Sequence, residues 1–220
     1  MEFVSKIIDI KRETWDTVTV KIKADNFSFK AGQFVTLTLK IDGNEVKRAY
    51  SIATSPSDKG YFEITSKKYG VFSTYLDEKA KVGEKIKVNG PHGLFTYEER
   101  CNKIIAIAAG SGIAPIRGIV RQAIEEKKEI ELLYSVKTDK DIIYEKELEL
   151  LKNNKNFKSK VVLTGNGGKR IDLNFLKENL KFDDKSLFYI CGPPAFVKAM
   201  VEALKELEIK EDKIKAERFG

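Results

Sequence analysis

Four short clusters in this 220-residue sequence combine side chains and backbone freedom that could do chemistry. Arg48-Ala49-Tyr50-Ser51 sets a guanidinium and a phenol two residues apart in a segment that reads as a strand. Pleating puts both on one face, where Arg offers a charge-assisted fork and Tyr a flat stacking surface. That pair suits a ligand with a phosphate beside a planar ring, and it equally suits a cross-strand surface pair. Gly70-Val71-Phe72-Ser73-Thr74 opens an expected helix, whose free N–H groups could hold a pyrophosphate or simply be capped. Gly110-Ser111-Gly112-Ile113-Ala114-Pro115 lies between an apolar strand and a helix. Its glycines let the backbone approach a phosphate, and Pro115 suits a first helical turn. Pro115 replaces the third glycine of the G-x-G-x-x-G fingerprint, and turn chemistry alone would also explain a lone G-x-G. Cys191-Gly192-Pro193-Pro194-Ala195-Phe196 ends a strand and starts a helix, so its thiol could line a site or be a small buried hydrophobe.

Composition narrows the chemistry. Two cysteines, Cys101 and Cys191, cannot alone hold a four-thiolate cluster or structural zinc, and the single His92 excludes a multi-histidine centre. No metal site is expected. The net charge of +7 invites anionic partners, but it is dispersed over sign-alternating stretches such as EEKKEIE, and no basic stripe interleaved with aromatics marks a nucleic-acid groove. The longest apolar stretch, Ile104 to Ala109, is far short of the roughly 20 residues of a spanning helix. The N-terminus carries charges throughout and lacks a signal-peptide core. A cytoplasmic protein with reduced thiols is expected.

The elements that must position these clusters change rhythm near Glu98–Asn102. From Glu2 to about Tyr97 the pattern is mostly period two, with strands expected at Asp16–Ala24, Gln33–Ile41, Tyr61–Ser66 and Lys85–Val88. Asp42-Gly43-Asn44 reads as a hairpin turn and Asn89–Gly93 as another turn cluster. Only Val71–Lys79 reads as a helix there, so a small antiparallel β-barrel is expected over residues 1–98. Over residues 99–220, strands at Lys103–Ala109, Glu129–Val136, Lys158–Thr164, Ser186–Cys191 and Lys213–Arg218 alternate with helices. The helices are expected at about Ala114–Lys127, Asp141–Asn153, Asp172–Leu180 and Pro194–Leu207. That alternation implies a doubly wound α/β parallel sheet, with ligands at the strands' carboxyl ends.

Taken together and in this order, the four clusters resemble the motifs of the ferredoxin–NADP reductase superfamily of flavin- and pyridine-nucleotide-dependent oxidoreductases. RAYS is similar to its flavin motif R-x-Y-S, GVFS to its pyrophosphate G-x-x-S, GSGIAP to its G-x-G-x-x-P and CGPPAF to its C-G-P-P element. The closing ERFG is similar to the family's aromatic ending, so the resemblance spans nearly the whole chain. It implies bound FAD and the cofactor NAD(P)H. By resemblance, Arg48 contacts the FAD pyrophosphate, Tyr50 stacks on the isoalloxazine, Ala49 between them is also cofactor-binding, and Ser51 sits near flavin N5. Ile64 and Thr65 line the pyrimidine edge through backbone groups, while Gly70, Val71, Phe72 and Ser73 take the pyrophosphate. Gly110, Gly112, Ile113 and Pro115 shape the dinucleotide phosphate loop. Cys191, with Gly192 and Pro193, approaches the nicotinamide, and Phe219 covers the flavin until nicotinamide displaces it. Ser51, Cys191 and Phe219 are the expected catalytic residues. Tyr69 departs from the second glycine that many relatives carry before the pyrophosphate helix.

Nucleotide choice stays open. Many NADPH-using relatives place Ser-Arg after the third parallel strand, whereas here Thr164-Gly165 occupies that place. Lys137, Lys169 and Arg170 could still meet a 2′-phosphate, or form a solvated basic surface. The leading expectation is a reductase passing electrons to a separate acidic redox protein, a ferredoxin or flavodoxin. The alternatives are a reductase of free flavin, against which Tyr50 argues mildly, and an electron-transfer subunit of a larger complex.

Overall fold

The computed structural model describes residues 1–219 and contains two sheets. The first joins β1 (Glu2–Thr14), β2 (Thr17–Ala24), β3 (Phe34–Ile41), β4 (Asn44–Ser51), β5 (Gly60–Lys67) and β6 (Lys85–His92), with helix α1 (Val71–Glu78) between the last two. Its pairings are all antiparallel in the order β4-β3-β6-β1-β2-β5. The terminal strands curl back towards each other: Ile52 bridges Ile64, and the Ala53 N–H donates to Glu63 O at 2.8 Å. The barrel therefore closes at one point and leaves a seam between β4 and β5. Ile7, Val20, Ile22, Leu37, Phe62, Ile64 and Val88 fill its interior.

The alternation of β2 and β3 puts branched apolar side chains inward, which is why the period-two pattern locates them. Asp42 (φ 48°) and Gly43 (φ 83°) both occupy the left-handed region, as a tight hairpin between β3 and β4 requires. The Asn89–Gly93 cluster does not end its strand. β6 runs on to His92, and an irregularity absorbs Gly90, so that Thr36 faces Asn89 while Phe34 faces His92.

The second sheet is parallel, in the order β11-β10-β7-β8-β9. Its chain path is β7 (Lys103–Ala109), α2 (Ile113–Glu125), β8 (Glu129–Val136), α3 (Glu145–Leu151), β9 (Phe157–Leu163), α4 (Leu173–Asn179), β10 (Ser186–Gly192), α5 (Pro194–Glu206) and β11 (Ile214–Arg218). Helices α2 and α3 cover one face; α4 and α5 cover the other. From β7 the chain winds first to β8 and β9, then crosses to β10 and β11. The direction thus reverses between β7 and β10, and a crevice opens there at the strands' carboxyl ends. Helix α3 starts at Glu145 rather than near Asp141, because Tyr144 takes a left-handed conformation (φ 62°) that interrupts the helical run. Among the described residues no helix is long and apolar enough to cross a membrane.

Candidate active site at the seam between the two sheets

Strand β4 has a solvent-accessible side where the other strands are packed. Arg48 lies opposite the fully buried Leu37, and Tyr50 opposite the fully buried Val35, so both side chains leave the core-facing side of the strand. Arg48 is nevertheless exposed and Tyr50 only half-buried, because the seam leaves that side of β4 uncovered. The Arg48 guanidinium donates to Lys47 O at 2.7 Å, and among the described residues it has no carboxylate partner. Tyr50 is held more firmly. Its hydroxyl shares a 3.0 Å bond with Ser66, its ring stands 5.6 Å from that of Phe72, and burial pushes its pKa up. Ala49 points to the opposite, exposed side.

Across the seam, the Ile64 side chain lies in the barrel core. The Thr65 hydroxyl bonds Thr19 at 3.0 Å and also the hydroxyl of Tyr144 from the second half. Both side chains are committed, which leaves the edge of β5 beyond the Ile52–Ile64 bridge as what this strand can offer a ligand. The α1 entry is similarly self-consistent. Ser73 Oγ accepts from the N–H groups of Tyr69 and Gly70, each at 2.9 Å, and donates to Gly70 O at 3.0 Å. Its hydroxyl shapes the loop, Phe72 is buried against the barrel, and Gly70 and Val71 are exposed. Tyr69, at the departure noted above, is 99% exposed and so crowds nothing in the loop.

At the crevice two loops touch. A Cβ on Gly112 would lie 2.4 Å from Cys191 O and 2.7 Å from Gly192 N, so only glycine permits this approach. A Cβ on Gly192 would meet Ala109 and Phe196 at 3.0 Å. Gly110, at φ 53°, opens a single 3₁₀ turn, and its carbonyl accepts from Tyr134 Oη at 3.1 Å. Ile113 and Pro115 are buried in the first turn of α2. Pro193 is the N-cap of α5. Cys191 is wholly buried, and its thiol pKa is pushed up by burial first and then by the neighbouring Glu217. It is a neutral surface, not a thiolate. The Phe219 N–H donates to Gly192 O at 2.9 Å, and its half-buried ring packs on the cluster that contains Cys191.

Glu217 escaped the sequence reading, which took only the aromatic residue from ERFG. It pairs with Cys191 in the β10–β11 register, and the Ser51 hydroxyl from the other half is near enough to favour its charged form. Burial raises its pKa to about 7, and the Ser51 contact only partly opposes that rise. Its Oε2 is buried with no partner among the described residues. Period two could have found it, since Glu217 lies two residues before Phe219 in a run expected to be extended.

The 2′-phosphate candidates gather at the ends of β8 and β9. Thr164 spends its hydroxyl on Val136 O at 3.1 Å, and the Gly165 N–H donates to Lys137 O at 2.8 Å. Lys137, Lys169 and Arg170 remain exposed.

A family profile described as the oxidoreductase FAD-binding domain matches residues 5–97, and one described as the oxidoreductase NAD-binding domain matches residues 106–202. NADH-cytochrome b5 reductase 1 of Dictyostelium discoideum is 31% identical, over 86% of this chain and 71% of its own length. This chain belongs to the ferredoxin–NADP reductase superfamily. Within that superfamily it is 32% identical to the glycine betaine monooxygenase reductase subunit of Pseudomonas aeruginosa, over 98% of this chain. The chain spans 63% of that relative's length. In structure it matches the FAD/NAD-binding domain of nitric oxide dioxygenase from Vibrio cholerae, with a TM-score of 0.89, 21% identity and coverage of 99% and 98% of the two chains. A ferredoxin NADP+ reductase from Neisseria gonorrhoeae with bound FAD and NADP gives a TM-score of 0.86 at 24% identity, with 99% and 98% covered.

The superfamily's flavin and nucleotide fit what is present. An uncovered strand side carries a guanidinium with no carboxylate partner among the described residues, a glycine-only contact shapes the crevice, and Glu217 Oε2 is buried with no partner among the described residues.

Proposed function

We propose that this chain is an NAD(P)H-dependent flavoprotein reductase that delivers electrons to a separate protein. The observation that carries this reading is convergence: Ser51 from the barrel and Glu217 and Cys191 from the parallel sheet meet where the Gly112 crevice opens. Residues 1–98 would hold FAD and residues 99–220 the nucleotide, with Gly220 outside the described residues. Bound FAD would supply hydride acceptance at N5 and release of the two electrons one at a time.

The chain's own residues would bind and orient. Arg48 would fork onto a phosphate, Tyr50 would present a ring fixed by its hydroxyl's bond to Ser66, and the edge of β5 beyond the Ile52–Ile64 bridge would meet the pyrimidine. The first turn of α2 would receive the dinucleotide phosphates. Phe219 would exclude water from the reacting face, and Glu217 would hold a proton at its carboxyl beside Ser51. The acceptor in this reading is a redox protein, and the net charge of +7 favours an acidic one such as a ferredoxin or flavodoxin. Two free cysteines suit a reducing cytoplasmic setting.

Anaerobic titration of the purified yellow protein with NADH and with NADPH tests this directly. Bleaching of the flavin absorbance supports it; failure of both nucleotides removes it. Two substitutions refine the site. Arg48→Ala is expected to weaken FAD binding by about 1.5–3 kcal/mol, roughly 10- to 150-fold, as loss of a charge-assisted bond does. Because Arg48 is exposed, the apoprotein's thermal midpoint should stay put. Arg170→Ala should raise KM for NADPH about tenfold with KM for NADH unchanged; equal effects on both would remove the 2′-phosphate role.

A further inference from the structure

Helix α2 meets the barrel along one stripe. Residues 117, 121 and 125 are one helical turn apart, and each reaches a barrel residue. Arg121 pairs with Asp58 at 3.2 Å, while Glu125 accepts from Ser55 at 3.0 Å and Ser57 at 2.6 Å. Arg117 is the most enclosed member, with 13% of its side chain exposed against 28% for Arg121. Its guanidinium spans three acceptors. Nη1 donates to Glu63 Oε2 at 2.6 Å and to Ala53 O at 3.1 Å, and Nε donates to Glu147 Oε2 at 2.8 Å. The face of the same group lies 4.6 Å from the ring centre of Tyr144, whose hydroxyl bonds Thr65.

The acceptors are not arbitrary. Ala53 follows Ser51 by two residues, and Glu63 directly precedes Ile64 and Thr65. One side chain therefore grips both segments that frame the proposed flavin bed. Arg117 itself follows Pro115 by two residues, in the helix whose first turn faces the proposed phosphate site. Next to it, Gly118 sits so close to the barrel that a Cβ there would lie 2.7 Å from Thr54 O. Burial alone would raise the Glu63 carboxyl pKa, but the charge and hydrogen bond of Arg117, aided by Lys21, hold it below its ordinary value. Glu63 thus keeps its charge, and it and Glu147 hold the guanidinium between them.

Two halves of a chain move against one another by default unless their interface is large and apolar, and from residues 1–98 only Ala31, Ala53, Phe95 and Tyr97 are buried in the second half's apolar cluster. Hydride transfer tolerates little of that, since displacement by about 1 Å can cost roughly 100-fold in rate. We propose that Arg117 is a positioning residue, clasping the flavin-framing strands to the nucleotide-facing helix and so setting the separation that hydride must cross. This rests on the reductase reading above. Only a fork of several fixed donors can serve two carboxylates and a carbonyl at once; an ammonium cannot hold that geometry.

The test uses the FAD-loaded protein and the neutral triple variant Arg117→Gln/Glu63→Gln/Glu147→Gln, which strands no buried charge. Arg121→Ala, on the same stripe but farther from the flavin-framing segments, is the comparison. Stopped-flow reduction by NADH and NADPH gives the limiting rate and the apparent nucleotide Kd, and hydrogen–deuterium exchange follows residues 60–67 and 113–119. The triple variant should bind FAD stoichiometrically, keep its nucleotide Kd within threefold and lose at least tenfold in limiting rate. Both segments should also exchange faster. Arg121→Ala should stay within twofold of wild type in rate. A triple variant within twofold of wild type in rate, or one whose loss follows FAD content or nucleotide Kd, overturns the proposal. Unchanged exchange in both segments overturns the clasp without reference to activity. A wild-type flavin that neither nucleotide bleaches overturns the reductase reading instead, and the positioning of hydride with it.

Discussion

Gly112→Ala is expected to slow reduction of the bound flavin about 100-fold while FAD content stays at wild-type level. The effect is steric and local. Gly112 has φ −61° and ψ −10°, which any residue adopts, so the substitution carries no conformational penalty of its own. The new methyl would instead stand 2.4 Å from Cys191 O and 2.5 Å from its carbonyl carbon. Restoring van der Waals contact needs a shift of roughly 1 Å between two loops that form the nicotinamide side of the proposed site, enough to cost about two orders of magnitude. Overpacking of this kind also costs about 1–3 kcal/mol of stability. Gly110→Ala is the informative partner. Its φ of 53° is strained for alanine, yet nothing lies within 4 Å of the added Cβ. It should therefore lose about 1–2 kcal/mol of stability without displacing the Cys191 loop. Stopped-flow reduction with both nucleotides, beside urea unfolding, separates the two. A Gly112→Ala rate within threefold of wild type would show that the crevice relaxes around the methyl.

The contrast between those glycines shows what a sequence can carry. The segment Gly110–Pro115 was legible as a strand-to-helix loop because an apolar run precedes it and helical periodicity follows it. Sequence alone could not say which glycine bends the chain and which admits a neighbour, because Gly112's neighbour lies some 80 residues away in β10. The same limit hid the clasp. Nothing in the sequence sets Arg117, Glu63 and Glu147 apart from the other charges of a chain rich in Lys and Glu, and only the fold brings them together. Tyr144 adds a local version of the problem. Residues 141–153 have helical composition, but a tyrosine bonded across to Thr65 takes a left-handed turn and delays α3 until Glu145. Elements whose partners are near in sequence, such as the Asp42–Gly43 hairpin or the buried run of β7, needed no such knowledge.

Glu217 leads to the second large effect, a change in the pH dependence of both stability and turnover. Its folded pKa, about 7, exceeds the ordinary carboxyl value of 4.5, chiefly because burial penalises the charge. Below the ordinary value the group is protonated whether folded or not, and it costs nothing. Between about 4.5 and 7 the folded chain keeps a proton that the unfolded chain releases, so stability falls as pH rises. Above about 7 the folded state carries a buried charge and the full penalty applies. The shift corresponds to about 3 kcal/mol, which solvent at this partly open side chain reduces to roughly 1–2 kcal/mol. Glu217→Gln removes the charge, so the variant apoprotein should match wild type at pH 4.5 and exceed it by that amount at pH 8. Urea unfolding across that range reads the difference, and parallel curves would mean that Glu217 titrates normally. The same group, half protonated near neutrality with Oε2 unpartnered among the described residues, can hold a proton near Ser51 when electrons arrive and leave. Turnover with a one-electron acceptor should accordingly break near pH 7 in wild type. In Glu217→Gln it should run flat and at least tenfold lower on the acid side, where the protonated carboxyl acts.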